Sequence, residues 1–252
     1  MSNREQRFTL GLLAMEGSVL SSLIGPTDMF RIAQKLAQVR DPGTPLRLET
    51  VLVGARGLTH VNGSGGLQLS GVQSPDLSLD CLLIPGIMHD SAEDLVNRLA
   101  AYQPEMELLR AMHLRGVPLI AACCGGFLLA ETGLLDGHNA TTSWWLDAAF
   151  RKRYPHVQLD VERMIVEDGM LTTTGASTAI SRGCSGGSKR GSSSNPRRRS
   201  CNTCSSRRRV WQAWNCRLGS SASILARLSP DGSARRWNRS ACSRCSRLSR
   251  NA

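Results

Sequence analysis

The chain has 252 residues and a net charge of +11, but that total averages two unlike segments: residues 1–180 carry 14 Lys and Arg against 19 Asp and Glu, and residues 181–252 carry 17 against one. The basicity therefore belongs to the tail, and the first 180 residues are long enough for one domain with a sizeable core. Three cysteines in that part (Cys81, Cys123, Cys124) argue against a disulfide framework, and the polar N-terminus leads into an apolar run too short for a membrane span or a signal sequence, so a soluble cytoplasmic protein is expected.

In chain order, residues 8–15 read as a first strand, with Glu16-Gly17-Ser18 as the loop at its carboxyl end. Gly25-Pro26-Thr27-Asp28 puts proline and an acid in a first helical turn, and Met29, Ile32, Ala33 and Leu36 recur at helical spacing until Asp41-Pro42-Gly43. Residues 46–53 alternate as a second strand. Asn62-Gly63-Ser64-Gly65-Gly66 is glycine-rich but lacks the lysine and following helix of a phosphate loop, and reads as a turn between short strands. Residues 80–86 form a short apolar strand ending in Pro85-Gly86, where the backbone is free to turn an N–H towards a ligand. Two helices interrupted at Pro104 follow, up to Gly116.

Residues 118–122 are a short unbroken apolar run, as expected for a central parallel strand, and 126–132 have helical composition with Gly133 placed to end the helix. Cys123 and Cys124 sit at the junction, where Gly125 and Gly126 supply the small residues that a sharp strand-to-helix turn needs. A helix N-terminus beside the sulfur favours thiolate, which makes Cys123 a candidate nucleophile; two small buried cysteines at a strand end fit the same local pattern. A helix over 146–153 and strand signals at 157–160, 164–166 and 170–174 follow, the last three read as a small hairpin returning to the sheet, and Gly175 opens an expected final helix. Alternating strands and helices with short junctions predict an open parallel sheet covered on both faces, with a ligand crevice at the carboxyl ends of the strands. None of the five histidines pairs with Cys, Asp or Glu at metal-ligand spacing, so no metal is expected; His89, three residues past Gly86, reads as a loop histidine near the crevice.

Taken together, Cys81-Leu-Leu-Ile-Pro-Gly86, the run from Ala121-Ala-Cys-Cys-Gly-Gly to Gly133-Leu-Leu-Asp-Gly137, Ala140-Thr-Thr-Ser-Trp-Trp145, Arg153-Tyr-Pro155 and Thr173-Thr-Gly-Ala176 resemble the amidase-like (PfpI-type, class I glutamine amidotransferase-like) sensor domain of AraC-family transcriptional regulators, over about residues 8–180. The resemblance implies an α/β flavodoxin-like three-layer sandwich with a parallel sheet, a ligand-sensing role, no cofactor, a homodimer, and DNA binding through a following helix-turn-helix pair. Carried over, Cys123 occupies the elbow position, the N–H of Cys124 and the backbone at Gly86 the oxyanion-hole positions, and Ser143 a place often held by histidine; Ser22, Ile87 and Trp144 line the expected ligand site. Two departures matter. Hydrolytic relatives place His directly after the cysteine, where this chain has Cys124, and an acid in the first strand-to-helix loop, where it has Ser22. A thiol without a base in reach favours a binding pocket, with a cysteine-dependent hydrolase, lyase or hydratase of the same superfamily as the alternative.

From Ser181 the composition changes abruptly to 18 serines, 17 basic residues and six cysteines in 72 positions, with no sustained periodicity. Such a segment cannot build an ordinary core. Its arginine runs would bind polyanions without sequence preference, and its two CxxC pairs stand too far apart for a zinc ribbon. The jump falls inside an expected helix, and Arg/Ser/Cys/Trp enrichment is what a GC-rich gene gives when read out of frame, so the domain is expected at 1–180 and the DNA-binding part is expected to be lost to a frameshift.

Overall fold

The computed structural model describes residues 6–176. The final helix expected from Gly175 and the basic tail lie outside the described residues.

Strand β1 (Gln6–Leu13) pairs in parallel with β2 (Leu46–Val53) on one side and with β5 (Cys81–Ile84) on the other. β6 (Leu119–Ala122) continues the parallel array, followed by β10 (Leu171–Thr174), and β9 (Ile165–Asp168) closes that edge antiparallel to β10. The order β2-β1-β5-β6-β10-β9 places the chain's switch of direction between β1 and β5. In open parallel sheets the carboxyl ends of the strands at such a point are where ligands bind. The hairpin of β3 (His60–Asn62) and β4 (Gln68–Ser70) brackets the glycine-rich turn, as the sequence suggests. The segment 157–160 does not join the β9–β10 hairpin: β8 (Gln158–Leu159) pairs instead with β7 (Asn139–Ala140), because the peptide after Gly137 runs alongside it.

The period of two along the central strands sorts the core. Leu82, Ile84, Leu119 and Ala121 face one side, against α2 (Ala92–Leu99), α3 (Gln103–Leu114), α4 (Gly125–Glu131) and α5 (Asp147–Arg153). Leu83, Ile120 and Ala122 face the other, against Leu23, Phe30 and Ala33 of α1 (Ser21–Arg40). Hence the near-continuous apolar runs of β5 and β6, all of whose residues are buried. Helix α1 begins four residues earlier than its Gly25-Pro26 signal: Pro26 lies inside it, buried, where its missing N–H removes one helical bond near the end, and Ser22 is part of the first turn rather than of a loop. Buried Leu23 accounts for the earlier start, since a helix from Ser21 presents it to the sheet.

Candidate functional site

Cys123 follows β6 with φ of +54°, alone among the described non-glycine residues in having a positive φ. That conformation costs about 1–2 kcal/mol for an L-residue. It is held from three directions: the Cys123 N–H donates to the Thr174 carbonyl at 2.8 Å, and the Cys123 carbonyl accepts from Gly126 N–H at 3.2 Å and Thr142 Oγ1 at 3.4 Å. Of the two elbow glycines only Gly125 is required by space. A Cβ there would lie 2.4 Å from the Pro85 carbonyl oxygen, whereas one at Gly126 meets nothing nearer than 3.7 Å.

The turn points the Cys123 sulfur at Ser143, with Sγ and Oγ 2.8 Å apart, both residues buried. Ser143 has one hydroxyl proton, and the Gly175 carbonyl accepts it at 3.1 Å when the thiol is protonated; an ionised Cys123 draws the same proton to sulfur. The Cys123 thiol is held below its ordinary range, at about 6, by the Cys124 thiol first and then by the Ser143 hydroxyl, the Cys124 N–H and the charge of His89, with burial opposing them. Cys124 moves the opposite way, because the Cys123 thiolate and burial both oppose a second negative charge. Cys124 is the more deeply anchored of the two: its sulfur accepts from Ile87 N–H at 3.1 Å and donates to the Ile87 carbonyl at 3.3 Å. Backbone and side-chain donors therefore supply the favourable setting for thiolate; α4 is only seven residues long, and its contribution reaches the sulfur through the Cys124 N–H.

The loop after β5 supplies the other wall. Gly86 leaves no room for a side chain larger than hydrogen without pressing on Val19 and the Cys124 sulfur, 3.3 and 3.4 Å from where a Cβ would stand. Its N–H makes a long bond, 3.4 Å, to Ser22 Oγ. The two backbone N–H groups nearest this wall, at Gly86 and Ile87, are thus both engaged by side chains, Ser22 and Cys124. An incoming oxyanion must displace Ser22 to use Gly86. The Ile87 side chain is fully buried in the core beside this wall.

A base is missing among the groups bonded to the thiol. Glu16, six residues before Ser22, points both carboxylate oxygens at the Asn62 N–H, 3.2 Å away, and is exposed. His89 is half-buried, with Nδ1 2.7 Å from the Ile87 carbonyl; as that contact requires Nδ1–H, the Nε2 lone pair is the free one. Its charge registers on Cys123, so it belongs to the site's surroundings, which its loop position only partly signalled. Trp144, 73% exposed, and Trp145, 54% exposed, stand edge-to-face 5.6 Å apart immediately after Ser143. Both contact solvent, and Leu146 and Phe150 are the buried residues of this segment. The carbonyls of Thr174 and Gly175, which complete the elbow, carry no sequence signal because any residue supplies them.

Among the described residues, no group of three or more His, Cys, Asp or Glu side chains is arranged to hold a metal ion, and no helix is long and apolar enough to cross a membrane. A cavity of about 330 Å³ lies elsewhere, between α1 and the β1–β2 edge, lined by Leu12, Leu23, Ile24, Thr27, Thr50 and Leu52 among others.

Comparison with known proteins agrees with this fold. The HTH-type transcriptional regulator GbdR of Pseudomonas aeruginosa is 25% identical over 175 residues, 68% of this chain and 44% of that regulator, so the chain spans less than half the length of this relative. The HTH-type transcriptional regulator CdhR of the same species is 31% identical over 94 residues, 34% of this chain and 28% of that protein. Among solved structures, Drosophila melanogaster DJ-1beta superposes with a TM-score of 0.54 at 17% identity, covering 70% of this chain and 86% of that one, and an AraC family transcriptional regulator from Pseudomonas putida with 0.52 at 16%, covering 69% and 87%. The sequence profile of the DJ-1/PfpI family matches residues 23–182, well over half of the chain, from the start of α1 through the cysteine elbow to the end of the sheet, and the chain belongs to that family.

Proposed function

We propose that residues 1–180 form the ligand-sensing domain of a cytoplasmic AraC-type transcriptional regulator, in which the Cys123–Ser143 pocket binds a small molecule without turning it over. The carrying observation is the proton inventory of the site. Cys123 has a serine and a second cysteine as its polar side-chain neighbours; Ser143 passes its one proton between sulfur and a carbonyl, and Cys124 shares its one proton between the Ile87 carbonyl and the Cys123 sulfur. Neither takes a proton from a substrate near neutral pH, and general base catalysis needs a group that does. The likeness to GbdR and CdhR supports the regulator reading. On this reading the protein acts as a homodimer and DNA is contacted by a domain that follows the sensor in intact relatives. The composition of residues 181–252 supports reading that stretch as out of frame; reading the gene in all three frames across codons 170–200 tests it.

The competing reading, a cysteine-dependent hydrolase, lyase or hydratase, draws on the elbow φ and the lowered Cys123 thiol. A thermal-unfolding screen of the full chain against small amides, carboxylic acids and amines, with Cys123→Ala and Trp144→Ala in parallel, tests the pocket. The expected result is a compound that raises the unfolding temperature of the wild type and acts less on the variants. A compound that stabilises all three chains alike places the ligand elsewhere and overturns the reading.

A further inference from the structure

Strand β2 is the last strand on its side of the sheet, and its even-numbered residues turn their N–H and C=O groups outward, away from β1. Substitutes for a neighbouring strand satisfy both ends of that edge. At one end the side-chain amide of Gln34, on α1, donates to the Leu46 carbonyl at 3.1 Å and accepts from the Leu48 N–H at 2.8 Å. At the other, Gln73 uses its backbone: its N–H donates to the Leu52 carbonyl at 2.9 Å and its carbonyl accepts from the Gly54 N–H at 3.1 Å, as a parallel bridge to Val53.

Two positions of the same kind lie between these ends, the Leu48 carbonyl with the Thr50 N–H and the Thr50 carbonyl with the Leu52 N–H. Among the described residues nothing bonds to any of the four groups. The chain cannot reach them from Gln73, because it turns off there: Val72 and Gly71, the latter at φ of +83°, both donate their N–H groups to the Thr59 carbonyl, at 3.1 and 3.0 Å.

The cavity of about 330 Å³ adjoins this stretch of edge, with Thr50, Val51 and Leu52 in its wall. Val51 packs its side chain against the core cluster of the other layer, so what it offers the cavity is backbone. The rest of the wall is mostly apolar, from Leu12, Leu23, Ile24 and Leu69. Thr27 is the exception; its hydroxyl donates to the Leu23 carbonyl at 2.9 Å and keeps its lone pairs for another donor.

We propose that this cavity is a second small-molecule site, which takes a carboxamide joined to an apolar group. The amide N–H donates to the carbonyl of Leu48 or Thr50, the amide oxygen accepts from the N–H two residues further on, and the apolar part fills the space beside Leu23 and Ile24. Gln34 shows that a single primary amide spans one such position. An ester or a carboxylate of the same shape brings no N–H, and leaves a strand carbonyl facing an oxygen. The volume lies at the lower end of the range for ligand pockets, which suits a compact molecule. Cys123 follows β6, three strands away, so the site is independent of what the Cys123 pocket binds.

An amide-resolved NMR titration of the full chain tests this, with hexanamide, methyl hexanoate and hexanoate as probes. Thr50→Pro removes the central N–H on an edge strand, where proline is tolerated. Ile24→Trp fills the cavity from a position that is 45% exposed and leaves the β2 backbone intact, so it serves if Thr50→Pro does not fold. The expected result is that hexanamide shifts the Thr50 and Leu52 N–H signals and slows their hydrogen exchange, while the ester and the acid bind about 10-fold more weakly. Each variant is expected to weaken hexanamide by a similar factor. An ester bound as tightly as the amide, a folded variant that binds like the wild type, or no shift at any probe concentration overturns the site. Shifts confined to the surroundings of Cys123 also overturn it, while leaving the sensor reading of that pocket standing.

Discussion

Removing the Ser143 hydroxyl raises the pKa of Cys123, and the structure sets the size of the effect. Oγ lies 2.8 Å from the sulfur, and a hydrogen bond to a charged group stabilises it by about 1.5–3 kcal/mol. The proton is not free, since it otherwise rests on the Gly175 carbonyl at 3.1 Å, a neutral bond that contributes about 0.5–1.5 kcal/mol. The difference is about 1–1.5 kcal/mol, or about one pH unit at 1.36 kcal/mol per unit. Cys123 is held below the ordinary thiol range in the wild type, so Ser143→Ala moves the midpoint up by about that one unit. Thiolate absorbance in the ultraviolet, recorded against pH with the same titration of Cys123→Ala subtracted, reads this one sulfur among nine cysteines. A midpoint left unmoved by Ser143→Ala would refute the shared-proton account of the pair.

Other perturbations reach the scaffold around the site. Glu105 is buried and held by Arg56 through two bonds of 2.7 and 2.8 Å, so Arg56→Met strands a buried carboxylate and lowers unfolding free energy by about 3–5 kcal/mol in urea titrations; Arg56→Met/Glu105→Gln recovers part of it. Gly125→Ala drives a Cβ into the Pro85 and Ile84 carbonyls at 2.4 and 2.9 Å, costing about 1–3 kcal/mol in the same measurement and disturbing the Cys123 turn. His113 has its protonation depressed, by burial first and then by the charge of His138, and its Nδ1 is buried without a partner. The unfolded state then binds the proton more readily, so the His113 contribution is intact above the ordinary histidine range and is lost as pH falls through it. His113→Gln flattens the fall in thermal stability between about pH 7 and 5.

Much of the fold is legible in the chain because the period of two in β1 and β2 and the unbroken apolar runs of β5 and β6 are consequences of burial on one or both faces. Cys123 is legible for a related reason: a small residue run between an apolar strand and a helix has few other uses. Less was legible where the determinant is a backbone group or a pairing across the sequence. The start of α1 was hidden by Pro26, whose usual place is a first turn but which is tolerated here six residues in. β8 reads as a hairpin strand, yet its partner is β7, some twenty residues earlier, and two residues of β7 carry no alternation to announce it. The Arg56–Glu105 pair joins residues 49 apart and looks in sequence like two solvated charges. At the pocket, the occupation of Gly86 and Ile87 N–H by Ser22 and Cys124 follows from three-dimensional placement alone.

The most direct test of a pocket that binds without reacting is a mass-spectrometric count of product formed by the full-length chain from small amides, isonitriles and 2-oxoaldehydes, with Cys123→Ala run beside it. The account predicts that wild type and variant yield the same background amount of product across the pH range in which Cys123 is ionised. Turnover by the wild type that disappears in Cys123→Ala contradicts it, and would mean that a base, with His89 Nε2 the first to examine, reaches the sulfur during the reaction.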